Sequence, residues 1–307
     1  MATTQTTKLL SAENKTFYER TLLKRLTPNL VFAKYGQKKP IPSNEGGTIN
    51  FRRFGSLAAA TTALTEGVTP NGSQLSVSTV IAAPEQYGDF IQISDKLDMV
   101  GIDPVLTEAA EILGEAAALT VDTLVRDVVC NGTNVLFAGG AENSEDLTPS
   151  SVLTSEDVRR AVRLLKQQNA KPAEGGFYIG IVDPEVAFDL QNDALWQDVS
   201  KYNGGEAIIK GEIGKLAGVR FVESTNVLKQ ETESGVMMHS CMIIGKDAYG
   251  VVDVENGSAP QMIVKPFGSA GTADPLDQRA TAGYKLFMTA VRLQELAMVR
   301  VECAASM

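Results

Sequence analysis

The sequence of 307 residues predicts an α+β fold, and three observations support this prediction. Apolar residues recur at helical spacing over 103–130, which predicts one long helix. Alternating apolar and polar residues predict strands within 47–94 and again within 284–303. Between 154 and 264, short helix patterns alternate with short strand patterns. The chain is therefore expected to combine a hairpin, a long helix and an α/β region.

The composition is that of an ordinary globular protein, with 44% hydrophobic and 21% charged residues. No apolar run approaches the roughly 20 residues that a membrane span needs, so no membrane partner is expected. The start of the sequence is polar and lacks the apolar core of a secretion signal, which predicts a protein made and kept in a cytoplasm. Cys130, Cys241 and Cys303 lie far apart, so we expect buried free thiols.

Residues 1–46 are predicted to form an N-terminal arm. Residues 13–26 carry a weak helical pattern, and the prolines that follow interrupt any helix. The arm has few large apolar groups, so we expect it to pack on a surface outside itself. Its basic residues are Lys8, Lys15, Arg20, Lys24, Arg25, Lys34, Lys38 and Lys39.

The net charge of −9 is unevenly distributed along the chain. Residues 1–53 hold ten basic and three acidic residues, whereas residues 54–150 hold two basic and fourteen acidic residues. A basic arm beside an acidic block favours attraction between segments or between subunits. Solvated surface charge without a partner is the alternative.

Residues 47–94 are predicted to form an extended loop built on a β-hairpin. Apolar and polar side chains alternate over 49–53 and again over 75–81, and Thr69–Gly72 carries the Pro-Asn-Gly turn signal. Residues 90–93 are predicted to be a second returning strand. Of the 32 residues in 55–86, 18 are Ala, Thr, Ser or Gly. A hairpin with so little bulk is marginal alone in water, so it needs a partner surface. A neighbouring subunit is the simplest partner, and the chain's own domain is the alternative.

The long helix predicted over 103–130 begins with Asp103 as a cap and Pro104 in its first turn. Its length is about 40 Å at 1.5 Å per residue. One face carries four acidic residues, which repel one another weakly. A basic partner would relieve this repulsion, and solvation alone would also suffice. The apolar face comprises Leu106, Ala110, Leu113, Ala117, Val121, Leu124 and Val128, and the acidic face comprises Glu108, Glu111, Glu115 and Asp122.

The sequence shows no set of residues that indicates catalysis. The only histidine, His239, stands beside an apolar strand, where a packed or surface residue is the expected role. A single histidine and widely spaced cysteines predict no metal site and no cofactor. The carboxylate pairs Asp95 with Asp98 and Asp183 with Glu185 have spacings that are common on protein surfaces. No basic cluster is interleaved with aromatic residues, so only non-specific contact of the arm with DNA is expected.

Several segments resemble one known family in their order and spacing. They are Leu64–Pro70, Gln86–Phe90 with Ile93–Asp95, the helix that ends before Asn131-Gly132, Phe177–Pro184 and Gly283–Lys285. In this order they resemble phage major capsid proteins with the Hong Kong 97-type fold, and most closely the N4-type major capsid family.

The resemblance implies a virion shell of hexamers and pentamers around double-stranded DNA, assembled in a host cytoplasm. Scaffolding, portal and decoration proteins are implied as further partners. It divides the chain into an N-terminal arm (1–46), an extended loop (47–94), a spine helix with peripheral region (95–153), an axial lobe (154–260) and a return to the peripheral lobe with terminal strands (261–307).

The leading hypothesis is a structural, self-assembling subunit without enzymatic activity. The residues expected at the subunit interface are Arg52, Arg53, Leu57, Leu64, Glu66, Val77, Ile81, Glu108, Glu111 and Glu115. An encapsulin-like cellular compartment shares the fold and is the second hypothesis. A cytosolic α/β enzyme with an unrecognised carboxylate site is the third.

Overall fold

The computed structural model describes residues 31–41, 47–55, 57–69, 71–100, 105–196, 212–254, 260–269, 271 and 274–306. The helical pattern predicted over 13–26 and the predicted helix start at Asp103-Pro104 lie outside these residues. None of the helices described is long and apolar enough to cross a membrane.

Two large sheets and one small sheet contain the strands of the described chain. The strands are β1 (Gln37–Ile41), β2 (Ile49–Phe54), β3 (Val77–Ala82), β4 (Glu85–Ser94), β5 (Val135–Phe137), β6 (Tyr178–Val182), β7 (Glu212–Leu216), β8 (Val219–Glu223), β9 (Lys229–Glu231), β10 (Met237–Ile244), β11 (Tyr249–Val254), β12 (Gln261–Lys265), β13 (Arg279–Arg292) and β14 (Met298–Cys303). The helices are α1 (Asp95–Val100), α2 (Val105–Cys130), α3 (Ser155–Gln167) and α4 (Pro184–Asn192).

The first large sheet has seven strands in the order β5-β14-β10-β6-β8-β7, and β9 also pairs with β10. β6 is buried along its whole length, as its short apolar sequence predicts for a central strand. Helix α3 begins with a capping box in which Thr154 and Asp157 satisfy each other's backbone N–H groups. Its apolar stripe of Val158, Ala161, Val162 and Leu165 is buried, which confirms the predicted stripe.

The second large sheet is organised around β13. β4 pairs with β13 in antiparallel register over ten residues, from Arg279 opposite Ser94 to Met288 opposite Glu85. β12 and β11 pair with successive parts of β13, and β1 pairs in parallel with β11. Helix α2 packs mainly on β13, on β4 and on the short 3₁₀ turn Phe32–Lys34.

The terminal strands differ from the sequence prediction in their partners. A final pair of strands forms as predicted, but β13 lies in the five-stranded sheet and β14 lies in the seven-stranded sheet. Similarly, β11 lies in the five-stranded sheet although it falls within the segment expected to form an axial lobe. The two sheets therefore exchange strands along the chain, and one apolar core connects them.

The predicted hairpin forms with a different partner for its last strand. β2 and β3 pair in antiparallel register, from Ile49 opposite Ala82 to Phe54 opposite Val77. The predicted returning strand at 90–93 forms as part of β4, but it pairs with β13 because burial of Ile93 on this sheet removes its side chain from water. The hydrogen-bonded turn lies at Thr65–Val68, where Gly67 has φ +75°; Pro70, in the turn predicted at 69–72, lies outside the described residues.

The long helix forms over Val105–Cys130, within the predicted range. Its buried face includes Val125 and Val129, whereas the predicted Leu124 and Val128 are only partly buried, and Asp122 needs a further correction. The side chain of Asp122 is buried rather than on the exposed acidic face. It accepts hydrogen bonds from the backbone N–H groups of Val31 (3.0 Å) and Phe32 (2.8 Å) and from the amide of Asn226 (3.0 Å). Helical periodicity alone places Asp122 with the glutamates, but the chain at 31–34 covers this part of the helix.

Candidate subunit interface

The β2–β3 hairpin presents an unusual set of exposed apolar side chains. Seven of them are between 49% and 76% exposed. Scattered single apolar groups are normal on a protein surface, whereas many exposed apolar groups on one hairpin are typical of an interaction site. These side chains are Phe54, Leu57, Leu64, Val68, Leu75, Val77 and Ile81.

The hairpin is attached to the rest of the chain through its stem. Phe51 and Ala82 are buried and form a small cluster with Val252 of β11. The Phe51 ring lies against Gly250, where an added Cβ would come within 2.8 Å of the ring. The ammonium group of Lys39 lies 4.8 Å from the centroid of the same ring. Backbone pairing continues to Gly55, whose N–H donates to Ser76 at 2.8 Å, so the stem is fixed while 57–75 extend beyond it.

The predicted charged residues of the hairpin are all exposed. Arg52 and Arg53 follow Phe51 in β2 and lie opposite Thr79 and Ser78. Among the described residues, no ion pair includes either arginine. Glu66 lies in the turn at the outer part of the loop. The hairpin therefore combines two cationic groups near its stem with apolar groups along its length.

The outer face of α2 is the second predicted interface region. Glu108 and Glu115 are exposed as predicted, whereas Glu111 is partly buried. Ile112 and Leu119 lie on the same outer face at spacings of four and three residues from the two glutamates, and each is more than half exposed. This face is therefore acidic and apolar in alternation. The sequence could have predicted that Ile112 and Leu119 are exposed, since helical spacing places them between the acidic residues of the predicted helix.

The ten predicted interface residues lie in two regions of the fold. Seven belong to the hairpin and three to α2. The main packing partners of α2 are β13, β4 and 32–34, and neither β2 nor β3 is among them. Two further exposed apolar groups, Phe90 and Ile263, lie on the five-stranded sheet and are not among the predicted residues. Strand alternation groups the side chains that share a face, but it does not say which face is exposed.

The two carboxylate pairs considered as acid/base candidates have different surroundings in the structure. Asp95 and Asp98 lie in the first turn of α1 and are exposed. Asp183 and Glu185 lie at the start of α4, where His239 and Lys229 come close to both. Desolvation by burial lowers the pKa of His239 and outweighs the effect of the nearby carboxylates, so the imidazole is neutral at neutral pH.

Comparison with known proteins identifies the family. The model of a family described as phage capsid protein matches residues 77–301, which is most of the chain. No curated protein sequence matches the chain significantly.

Solved phage capsids share the fold. The capsid of Ralstonia phage GP4 has a TM-score of 0.72 at 13% identity, over 91% of this chain and 89% of that chain. The cyanophage Pam1 capsid has a TM-score of 0.66 at 14% identity, over 92% of each chain. The capsid of cyanophage P-SCSP1u has a TM-score of 0.65 at 16% identity, over 90% of this chain and 89% of that chain. The chain therefore belongs to the phage capsid protein family, and it is a structural major capsid protein with the Hong Kong 97-like fold.

Proposed function

We propose that the chain assembles into hexamers and pentamers that close into an icosahedral head around double-stranded DNA. The observation that carries this proposal is the β2–β3 hairpin, which exposes seven large apolar side chains and is buried in its own chain only around Phe51 and Ala82. Membership of the phage capsid family supports the proposal and does not favour a cellular compartment or an enzyme. The subunit has a structural role and no catalytic one.

The hairpin is proposed to lie across the outer face of α2 and the neighbouring sheet of the next subunit. The two surfaces are complementary in kind, because the hairpin offers apolar groups with Arg52 and Arg53, and the helix offers Ile112 and Leu119 with acidic groups. Full burial of one Leu or Ile side chain contributes about 1.5–3 kcal/mol. An exposed ion pair contributes at most about 1 kcal/mol, so the apolar groups supply most of the affinity and the charges set the orientation.

The remaining partners follow from the same proposal. The arm and the stem carry a net charge of +7 over residues 1–53, which suits non-specific contact with packaged DNA. Assembly takes place in the host cytoplasm with scaffolding and portal proteins, and decoration proteins bind the finished shell. The arm (1–46), loop (47–94), spine (95–153), axial (154–260) and peripheral (261–307) segments remain the proposed division, with β11 and β14 crossing between the lobes.

Replacing 57–75 with a short Gly-Ser turn tests the hairpin directly. This change keeps β2, β3 and the Phe51 stem, so we expect unchanged circular dichroism and thermal unfolding together with loss of closed shells in negative-stain images. The matched control replaces Glu156, an exposed residue at the start of α3, with Gln, which leaves the hairpin unchanged and is expected to assemble. Closed shells from the shortened protein would contradict the proposal.

A further inference from the structure

Three side chains with metal-binding chemistry converge at one end of the central strands β6 and β10 of the seven-stranded sheet. They are Asp183, Glu185 and His239, and one candidate ligand atom from each lies within 4.8 Å of the other two. His239 Nδ1 is 3.5 Å from an Asp183 carboxylate oxygen, and His239 Nε2 is 3.5 Å from a Glu185 carboxylate oxygen. Two carboxylates and one imidazole are a ligand set that suits a divalent transition cation.

The topology of the sheet explains why these residues meet. β6 and β9 both pair with β10, at successive positions along it. β6 ends at Val182, so Asp183 and the start of α4 turn over the end of this strand. His239 lies in the part of β10 that pairs with β9, directly opposite Lys229. The cluster therefore occupies the place where β6 gives way to β9.

The burial of two of the ligands is an independent sign that a ligand is needed. The side chains of Asp183 and His239 are each only about 1% exposed. Neither Asp183 Oδ1 nor His239 Nδ1 has a hydrogen-bond partner in the described part of the chain. Unpaired buried polar atoms destabilise the folded state and are rare in native proteins. A bound cation would satisfy both atoms at once.

The ammonium group of Lys229 lies beside the two carboxylates of the cluster and balances part of their negative charge. Its ammonium group lies 3.0 Å from Asp183 and 3.6 Å from Glu185. Its side chain is 36% exposed, so the ammonium group can move into solvent, whereas the buried His239 and Asp183 cannot.

We propose that Asp183, Glu185 and His239 bind a divalent transition cation, with Zn²⁺ as the best fit, in competition with the ammonium group of Lys229. The ion would take one imidazole nitrogen and one oxygen from each carboxylate, and these candidate ligand atoms lie within 4.8 Å of one another. Ligand atoms about 2.1 Å from a tetrahedral ion lie about 3.4 Å from each other, so binding would draw the three side chains slightly closer together. Water fills the fourth position on the exposed side of Glu185. The bound ion connects β10 to the start of α4 and stabilises this end of the seven-stranded sheet.

Isothermal titration of the full-length, EDTA-treated protein with ZnCl₂ tests the proposal. We expect one Zn²⁺ per chain and a rise in the unfolding temperature. Glu185→Gln should weaken Zn²⁺ binding at least about tenfold. Losing a residue that only hydrogen-bonds to a metal ligand already costs about tenfold in affinity, and Glu185 is proposed as a ligand itself. Lys229→Met should strengthen binding because it removes the competing cation. The matched control is Glu156→Gln, since Glu156 has the same second position in α3 that Glu185 has in α4, and it should leave the affinity unchanged.

The outcome that overturns the proposal is equally specific. No saturable binding, or equal affinities for the Glu185→Gln and Glu156→Gln proteins, would show that the cluster is not a metal site. An unchanged or weaker affinity in Lys229→Met would have the same meaning. Binding of Co²⁺ separates this site from the cysteines: we expect weak visible bands without the intense thiolate absorption, and thiolate absorption would contradict the assignment. His239→Gln is a further variant that should also lose Zn²⁺ binding. If the His239→Gln protein does not fold, the affinity of the Glu185→Gln protein still tests the proposal.

Discussion

At the residue scale, Asp122 shows how one buried carboxylate holds distant parts of the chain together. It accepts hydrogen bonds from the backbone N–H groups of Val31 and Phe32 and from the side-chain amide of Asn226. Burial raises the pKa of Asp122, and these hydrogen bonds together with Arg126 oppose the rise only in part. The carboxylate therefore positions Phe32 at the cost of its own desolvation.

We expect Asp122→Ala to destabilise the protein by about 1–3 kcal/mol, because the N–H groups of Val31 and Phe32 lose their acceptor in a buried place. Asp122→Asn keeps an acceptor oxygen for both groups and loses only the contact with Asn226, so it should cost less. Urea unfolding of the two variants measures the difference. Equal losses for Ala and Asn would contradict this role for the carboxylate.

The same pair of proteins has an expected pH dependence. Because the folded-state pKa of Asp122 is raised above 3.8, the folded state holds its proton more tightly than the unfolded state does. The stability of the wild type relative to Asp122→Asn is therefore greatest below pH 3.8 and falls as the pH rises through the folded pKa. A difference that grows with rising pH would be the wrong sign.

The position of Asp122 also shows what residue patterns cannot predict. Helical periodicity places it with the exposed glutamates, and for Glu108 and Glu115 that prediction is right. The segment that buries Asp122 is about 90 residues away in sequence. His239, Asp183 and Glu185 were missed as a group for the same reason, since sheet pairing rather than sequence spacing brings them together.

At the element scale, the hairpin and α2 have the properties of two halves of one contact. The hairpin carries Arg52 and Arg53, and the helix face carries Glu108 and Glu115. Both also expose apolar side chains. Within one chain, α2 packs mainly on β13, β4 and 32–34, and the proposed contact joins its outer face to the hairpin of another chain.

Charge reversal tests this pairing of elements. We expect Arg52→Glu with Arg53→Glu to slow shell assembly, because like charges then face each other across the contact. Adding Glu108→Arg and Glu115→Arg to the same protein should restore assembly in part. Light scattering at low ionic strength follows the rate. A combined variant no faster than the arginine variant would show that these charges do not meet.

A matched control reverses a charge elsewhere on the same surface. Glu156→Arg changes an exposed acidic group at the start of α3, away from both proposed surfaces. It alters the net charge without altering the contact, so its assembly should follow the wild type. Slowing as great as that of the arginine variant would mean that net charge alone is responsible.

Sequence patterns predicted these elements well and their partners poorly. The alternation over 49–53 and 75–81 predicted β2 and β3 and their pairing, because a short hairpin is a local structure. The alternation at 90–93 predicted a strand but not its pairing with β13, which is about 190 residues away. Strand alternation states which side chains share a face, and it contains no information about a distant neighbour.

At the scale of the whole molecule, the uneven charge distribution favours association between subunits. Residues 1–53 carry a net charge of +7, and residues 54–150 carry −12. The family and the α+β class were predictable because the order of arm, hairpin, long helix and α/β region is itself a pattern along the sequence. The exchange of β11 and β14 between sheets was not, since lobes need not be continuous in sequence.

The ionic strength of the medium should affect assembly of the whole subunit. Raising NaCl from about 0.05 to about 0.5 M shortens the screening length from more than 10 Å to less than 5 Å. We expect slower assembly, since attraction between oppositely charged segments guides the subunits. Finished shells should persist, because apolar burial is not screened. Assembly that is unaffected or faster at high salt, measured by light scattering, would contradict the role of the charge distribution.

The narrow stem of the hairpin has a mechanical consequence. Phe51 and Ala82 are the buried residues that hold it to Val252, with Ile49 and Val80 partly buried beside them, and the described residues of the loop 57–75 form no strand pairing. A small rotation about this stem therefore swings the loop through a wide arc while disturbing few core contacts. In the proposed shell, identical chains would form rings of five and rings of six, whose curvature differs. A loop hinged at this stem would let a single sequence fit both.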